Sequence, residues 1–154
     1  MASYRQQINM FKTSEVTVKD LSEINELEKE LNLNKTKLNF FNQTLLNKNF
    51  KFIKLTSDKQ IIGFLQFSWN KTDCDIISIG VIKKFQNKNY GKQLVEYLKY
   101  LNFKNIYVEV SAKNKKALMF YQRLKFQKIG LRKNYYKKEK SDGILLKLEN
   151  FKKL

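Results

Sequence analysis

DIISIGVIKKFQNKNYGKQLVEYLKYLN, residues 75–102, is the stretch from which the rest of the chain is read. Asp75 to Ile82 is rich in β-branched side chains and predicts a strand. Leu94, Val95, Leu98 and Leu101 recur at helical spacing up to Asn102 and predict the strongest helix of the chain. Between them lies Gln86-Asn87-Lys88-Asn89-Tyr90-Gly91-Lys92. A strand, a short loop and a helix start form the setting in which backbone N–H groups and the positive end of a helix dipole bind phosphate. Gly91 allows a close approach of the backbone, and Lys83, Lys84, Lys88 and Lys92 add positive charge. The same residues also suit a plain solvated turn.

Upstream, Glu15 to Val18 alternates as a first strand. In Asp20-Leu21-Ser22-Glu23, Asp20 is placed to cap a helix and Glu23 to reach back to it. Leu21, Ile24, Leu27 and Leu31 give that helix one apolar stripe. After a break at Asn32 to Lys35, Leu38, Phe41 and Leu45 predict a second helix, and both should lie on a sheet. Phe50 to Leu55 and Ile61 to Trp69 read as a hairpin about the turn Thr56 to Lys59. Downstream come a strand at Asn105 to Ser111 and a helix at Asn114 to Leu124. Phe126 to Leu131 and Gly143 to Leu148 form a closing strand pair around a basic loop. This order specifies an α+β, mixed α/β sheet domain without internal repeats.

A chain of 154 residues, 42% hydrophobic, supports one core. We expect a single domain over 13–150, with 1–12 as a flexible extension or part of the first strand and 151–154 as a tail. No apolar run reaches the roughly 20 residues of a membrane-spanning helix, and Met1 to Lys12 lacks the apolar block of an export signal. Cys74, the single cysteine, fits a reducing compartment. The expected location is therefore the cytoplasm. A formal charge of +17 attracts nucleic acid, ribosomes, acidic lipid and anionic cofactors without choosing among them. Much of it is compositional, since Lys and Asn are abundant and Pro is absent. With no histidine, His-based catalytic triads and ordinary zinc sites are disfavoured, and no metal is expected. There is also no Gly-Lys-Ser/Thr nucleotide loop.

Gln86 to Gly91 resembles the acetyl-CoA signature of the GNAT superfamily. In that signature Arg or Gln is followed after two residues by Gly and, one residue further, by Gly or Ala. Asn89 stands at the first Gly position, and Asn is the residue that next best tolerates a left-handed backbone. Further on come Val108-Glu109-Val110-Ser111, Asn114, Ala117, Phe120-Tyr121, Leu124, Phe126, Gly130, Arg132 and Tyr135-Tyr136. This series is similar to the bacterial ribosomal-protein alanine N-acetyltransferases, the RimI type, where it runs approximately LEVR, SN, A, LY, GF, G, R, YY. The similarity covers Asp75 to Tyr136 and extends weakly back through Gly63 to Asp20.

The resemblance implies the GNAT acyl-CoA N-acyltransferase fold, a central mixed sheet of about seven strands with about four flanking helices. It implies an N-acetyltransferase that moves acetyl from acetyl-CoA to the N-terminal α-amine of a protein, typically a ribosomal protein with a first-position Ala. Glu109 is implied as general base and Tyr121 as general acid. Such a site suits the chemistry, because an α-amine with a pKa of about 7.7–8.0 needs only a modest base, and a departing thiolate gains from a phenol. The pyrophosphate is expected on Gln86, Asn87, Lys88, Asn89, Tyr90, Gly91 and Lys92. The pantetheine arm is expected beside Ile79 and Val81, where the strand splays from Asn105–Ser111, with the Val81 N–H aimed at the thioester oxygen.

Plain readings stand beside these. Asn114 matches the Asn that approaches the coenzyme, and it is also an ordinary N-cap. Glu109 alternates with Val108 and Val110, so by pattern it simply points away from them. Tyr121 sits on a helix face with Ala117 and Leu124, where a packed aromatic is the default. Tyr135 and Tyr136 line a peptide-binding groove or pack the sheet edge, and Cys74 reads as an inert thiol. Ser111 replaces the family's Arg and Lys125 its Gly, which leaves open a small-molecule amine or a Lys side chain as acceptor. A noncatalytic RNA- or ribosome-binding module is the reading from another class.

Overall fold

A computed structural model describes residues 12–150. Seven strands run in the order β1 (Lys12–Glu15), β2 (Phe50–Ser57), β3 (Gln60–Asn70), β4 (Asp73–Val81), β5 (Asn105–Ser111), β7 (Ser141–Glu149) and β6 (Gln127–Tyr136). Four α-helices accompany them: α1 (Leu21–Glu30), α2 (Leu38–Leu45), α3 (Tyr90–Tyr100) and α4 (Lys115–Arg123). β4 and β5 are parallel, while β1–β2, β2–β3, β5–β7 and β6–β7 are antiparallel, so the sheet is mixed as expected. The described residues fall into two compact units. One comprises the chain up to Ser68 with Ile77–Glu96, the other Trp69–Ile76 with Tyr97 onward. The segments 1–11 and 151–154 lie outside the described residues.

In the first unit, Val16, Leu21, Ile24, Leu27, Phe41, Phe52, Ile61 and Phe64 form one core cluster. The apolar stripe of α1 is therefore its buried face. α2 buries only Phe41, edge-on to Phe52 at 6.4 Å, while Leu38 and Leu45 are exposed. Two expectations at the start of the chain are corrected. The first strand ends at Glu15, and Val18–Asp20 forms a 3-10 turn instead. Asp20 Oδ2 accepts from Thr17 N at 2.8 Å and from Lys54 Nζ at 2.7 Å, so its carboxylate closes the turn from Thr17 rather than capping α1. Glu23 does not reach back either; its Oε1 accepts from Ile61 N at 2.8 Å. Asp20 thus closes a local turn three residues back and pairs with Lys54 of β2, while Glu23 is taken by the backbone of β3.

The hairpin turns tightly, with Ser57 facing Gln60 and with Asp58 (φ 48°) and Lys59 (φ 64°) left-handed, as a two-residue turn between twisted strands requires. The register slips between Leu55 and Thr56. In the second unit, β5 occupies the expected Asn105–Ser111 and α4 starts one residue after Asn114. β6 runs on to Tyr136, so the expected basic loop shrinks to 137–140. β6 can run on because its register shifts after Lys128 and again after Arg132, which lets it stay paired with β7. Among the described residues no helix is long and apolar enough to cross a membrane.

Candidate active site

The loop that opens α3 belongs to the first unit. Gln86 Nε2 donates to the Val81 carbonyl at 2.8 Å, which ties the loop to the last residue of β4. Asn87 (φ 61°) and Asn89 (φ 68°) are both left-handed, a conformation that Asn tolerates better than other residues with a Cβ. Asn89 offers its carbonyl to Gln93 N at 3.0 Å and so begins α3. No glycine in the described chain has a positive φ, so Gly91 contributes small size, not handedness. Gly91 and Lys92 stand in the first helical turn, whose amides have no intrahelical acceptor. The ammonium groups of Lys84 and Lys88 lie 5.5 and 5.6 Å from the Phe85 ring centre, and that ring meets Tyr90 edge-on at 5.7 Å. Lys83, Lys84, Lys88 and Lys92 are exposed. The arrangement can receive an anion, and its residues fit a pyrophosphate. Ile79 and Val81 occupy the C-terminal half of the same β4 strand.

The second unit gathers Glu109, Tyr121, Tyr135 and Tyr136. The β4–β5 ladder pairs Asp73–Ile76 with Asn105–Val108, so Glu109 is the first residue of β5 beyond its last pair. Against β7, Glu109 faces Leu145 and Ser111 faces Gly143, while Arg132 of β6 also faces Gly143. Side chains two residues apart share a face, so Glu109, Gly143 and Arg132 meet on one side of the sheet. The Glu109 side chain keeps 19% of its exposure, and its Oε1 is buried without a hydrogen-bond partner among the described residues. Arg132 Nε approaches that oxygen to 3.6 Å, beyond hydrogen-bond range, and the Arg132 side chain is 59% exposed. A buried carboxylate oxygen that accepts no hydrogen bond from the described residues keeps its accepting capacity for a polar group brought to it.

Tyr136 donates from its hydroxyl to the Glu109 carbonyl at 3.3 Å, and its ring meets Tyr135 edge-on at 5.1 Å. Burial, and then the Glu109 charge, push the Tyr136 phenol above its ordinary value. Tyr121 on α4 is buried, clasped edge-on by Phe120 and Phe126 at 5.0 Å each. Burial is the main cause and Tyr136 the second of a strong upward shift in its phenol, so Tyr121 holds its proton throughout the neutral range. Tyr121 is thus both the packed aromatic that the helix pattern suggests and an available O–H donor.

The other expected residues are placed as follows. Asn114 is the N-cap of α4, its Oδ1 accepting from Ala117 N at 3.1 Å. Tyr135 is exposed, under the Arg132 guanidinium at 5.3 Å. Cys74 is fully buried, and burial, then Asp75, push its thiol up to about 12, which fits an inert residue. Sequence reasoning missed Gly143 as part of the site. A glycine inside a strand, the ordinary sign of a close approach, was the available signal.

A model of the acetyltransferase (GNAT) family matches residues 18–126. The chain belongs to the GNAT acetyltransferase family. Membership makes it an acyltransferase, and acetyl-CoA is the acyl donor of GNAT enzymes. It is similar to the N-alpha-acetyltransferase RimI of Mycobacterium tuberculosis, 26% identical over 115 residues that cover 71% of this chain and 73% of that protein. It also resembles the ribosomal protein bS18-alanine N-acetyltransferase of Haemophilus influenzae, 29% identical over 90 residues, 56% of this chain and 61% of that one. The fold matches the crystal structure of the ribosomal-protein-S18-alanine N-acetyltransferase from Escherichia coli with a TM-score of 0.79. That match has 21% identity and covers 93% of this chain and 96% of that one. The expected GNAT fold, a seven-stranded mixed sheet with four helices, is the fold observed.

Proposed function

We propose that this GNAT enzyme acetylates the N-terminal α-amine of a protein, most simply a ribosomal protein that begins with alanine. The observation that carries the chemistry is the buried Oε1 of Glu109, which accepts no hydrogen bond from the described residues, on a residue whose backbone carbonyl is held by Tyr136. The names of the similar proteins favour the acceptor class. The coenzyme supplies an activated acetyl thioester. Gln86, Asn87, Lys88, Asn89, Tyr90, Gly91 and Lys92 hold its pyrophosphate. Ile79 and Val81 line its arm, and the Val81 N–H faces the carbonyl oxygen. Asn114 serves chiefly as cap and contributes to the coenzyme from that position.

Glu109 takes the proton that the amine nitrogen sheds as its bond to the acetyl carbon forms. Tyr121 gives its phenolic proton to the sulfur as the carbon–sulfur bond breaks. Its raised affinity for that proton keeps it loaded at neutral pH. Tyr135 and Tyr136 border the acceptor's approach. The net charge of +17 helps the enzyme meet an acidic ribosome surface in a cytoplasmic setting.

The test offers the purified enzyme acetyl-CoA with an Ala-first peptide, an N-blocked lysine peptide and spermidine. Turnover of the Ala-first peptide is the expected result, and turnover of spermidine alone overturns the acceptor assignment. Glu109→Gln and Tyr121→Phe at saturating acetyl-CoA test the roles, and full activity in both variants would falsify them.

A further inference from the structure

Gly143 has a backbone that any residue adopts, because no glycine of the described chain is left-handed. The reason for a glycine at 143 is therefore space. A Cβ built there would stand 2.6 Å from Glu109 Oε1, 3.3 Å from Glu109 Cδ and 3.3 Å from Tyr135 Cβ. Real Cβ atoms do not approach a carboxylate oxygen so closely, so alanine at 143 would force the carboxylate or the strand to move. Gly143 is also buried and paired on both sides, with Ser111 of β5 and Arg132 of β6, so the sheet cannot open locally to make room. The missing side chain is the recess into which Oε1 turns.

Arg132, opposite Gly143, supplies the matching charge. Its Nε lies 3.6 Å from Oε1, and its guanidinium is propped on the Tyr135 ring at 5.3 Å. The pair is only partly exposed on the Glu109 side, so the attraction favours the rotamer that points Oε1 toward Gly143.

We propose that Gly143 and Arg132 are positioning residues for the Glu109 carboxylate. Gly143 leaves the recess, and Arg132 draws the carboxylate into it. Neither touches the acceptor amine; both act through Glu109. The inference rests on the reading of Glu109 as general base, and the two are separable by experiment.

Steady-state turnover is measured with acetyl-CoA and the Ala-first peptide, the lysine peptide or spermidine, using whichever acceptor the native chain acetylates. Gly143→Ala is expected to lower kcat about 10- to 100-fold while the KM for acetyl-CoA stays within about twofold, since a misplacement on the order of 1 Å costs that much. Arg132→Gln is expected to lower kcat about fivefold, with partial rescue in Arg132→Lys, which keeps the charge but not the fork. In a Glu109→Gln background the further loss from Gly143→Ala should shrink to less than about twofold, because both changes remove one function. If Glu109→Gln itself keeps full turnover, the base assignment fails. If it loses activity while Gly143→Ala keeps native kcat, or loses the same factor in both backgrounds, the positioning role fails instead. A crystal structure of Gly143→Ala needs no acceptor: a Glu109 carboxylate displaced from its native rotamer supports the proposal, and an unmoved one overturns it.

Discussion

The loop at Gln86–Lys92 and the recess around Glu109 are built by opposite means. The loop is made from neighbours in sequence: two left-handed asparagines, one glutamine side chain turned back onto Val81, and the first turn of α3. The recess is made from residues 109, 132 and 143, brought together only by the pairing of three strands. A site of the first kind tolerates drift in its residues as long as each keeps the local backbone. Asn89, standing where the family has glycine, does so at φ 68°. A site of the second kind depends on single atoms, because one added methyl at 143 falls 2.6 Å from the carboxylate.

The largest effect that would sharpen this contrast belongs to the recess. Glu109→Gln should reduce kcat by about 10²- to 10⁴-fold, the span of general base catalysis, with the KM for acetyl-CoA nearly unchanged. A comparable rise in that KM would show that the two regions are not separate in function.

Alkaline pH should reach the second unit through its buried acids. Cys74 has a folded-state value raised from 9.0 to about 12, and Tyr121 is shifted the same way. The unfolded chain ionises these groups first, so the stability they contribute is intact below about pH 9 and lost as pH rises toward the folded values. For Cys74 the loss is at most about 4 kcal/mol, three units at about 1.4 kcal/mol each. Urea midpoints should therefore fall steeply from pH 9 to 12, and Cys74→Val should flatten part of that slope. An unchanged slope in the variant would remove Cys74 from the account.

On the loop, Asn89→Val places a β-branched residue at φ 68°, at a cost of about 1–2 kcal/mol. The KM for acetyl-CoA should rise about tenfold while kcat at saturation holds, the mirror image of the result expected at Glu109. A loss confined to kcat would break the comparison. The smallest effect is at Lys125, which holds φ 73° where the resembling family has glycine. Lys125→Gly relieves left-handed strain but loosens the unfolded chain, so thermal melting should show a gain of no more than about 1 kcal/mol.

Legibility followed the same division. β5 and the Asn114 cap were read in place, since period-two alternation and N-caps are local signals. The differences came where a side chain found a better partner than the helix start. Asp20 looked like a helix cap, but Thr17 and Lys54 claimed its carboxylate, and Glu23 was taken by the Ile61 amide across the hairpin. The Tyr136 hydroxyl fastens the backbone of Glu109, 27 residues away, a contact without a local signature.

The order of strands and helices and the family were legible in the sequence alone, because periodicity, caps and motif spacing act within a few residues along the chain. The register of β5, β6 and β7 was decided only by the tertiary structure. From that register come a buried carboxylate oxygen, an arginine at 3.6 Å and a glycine whose missing methyl makes the room, none of which has a local signature, since strand pairing is set by packing across the whole sheet.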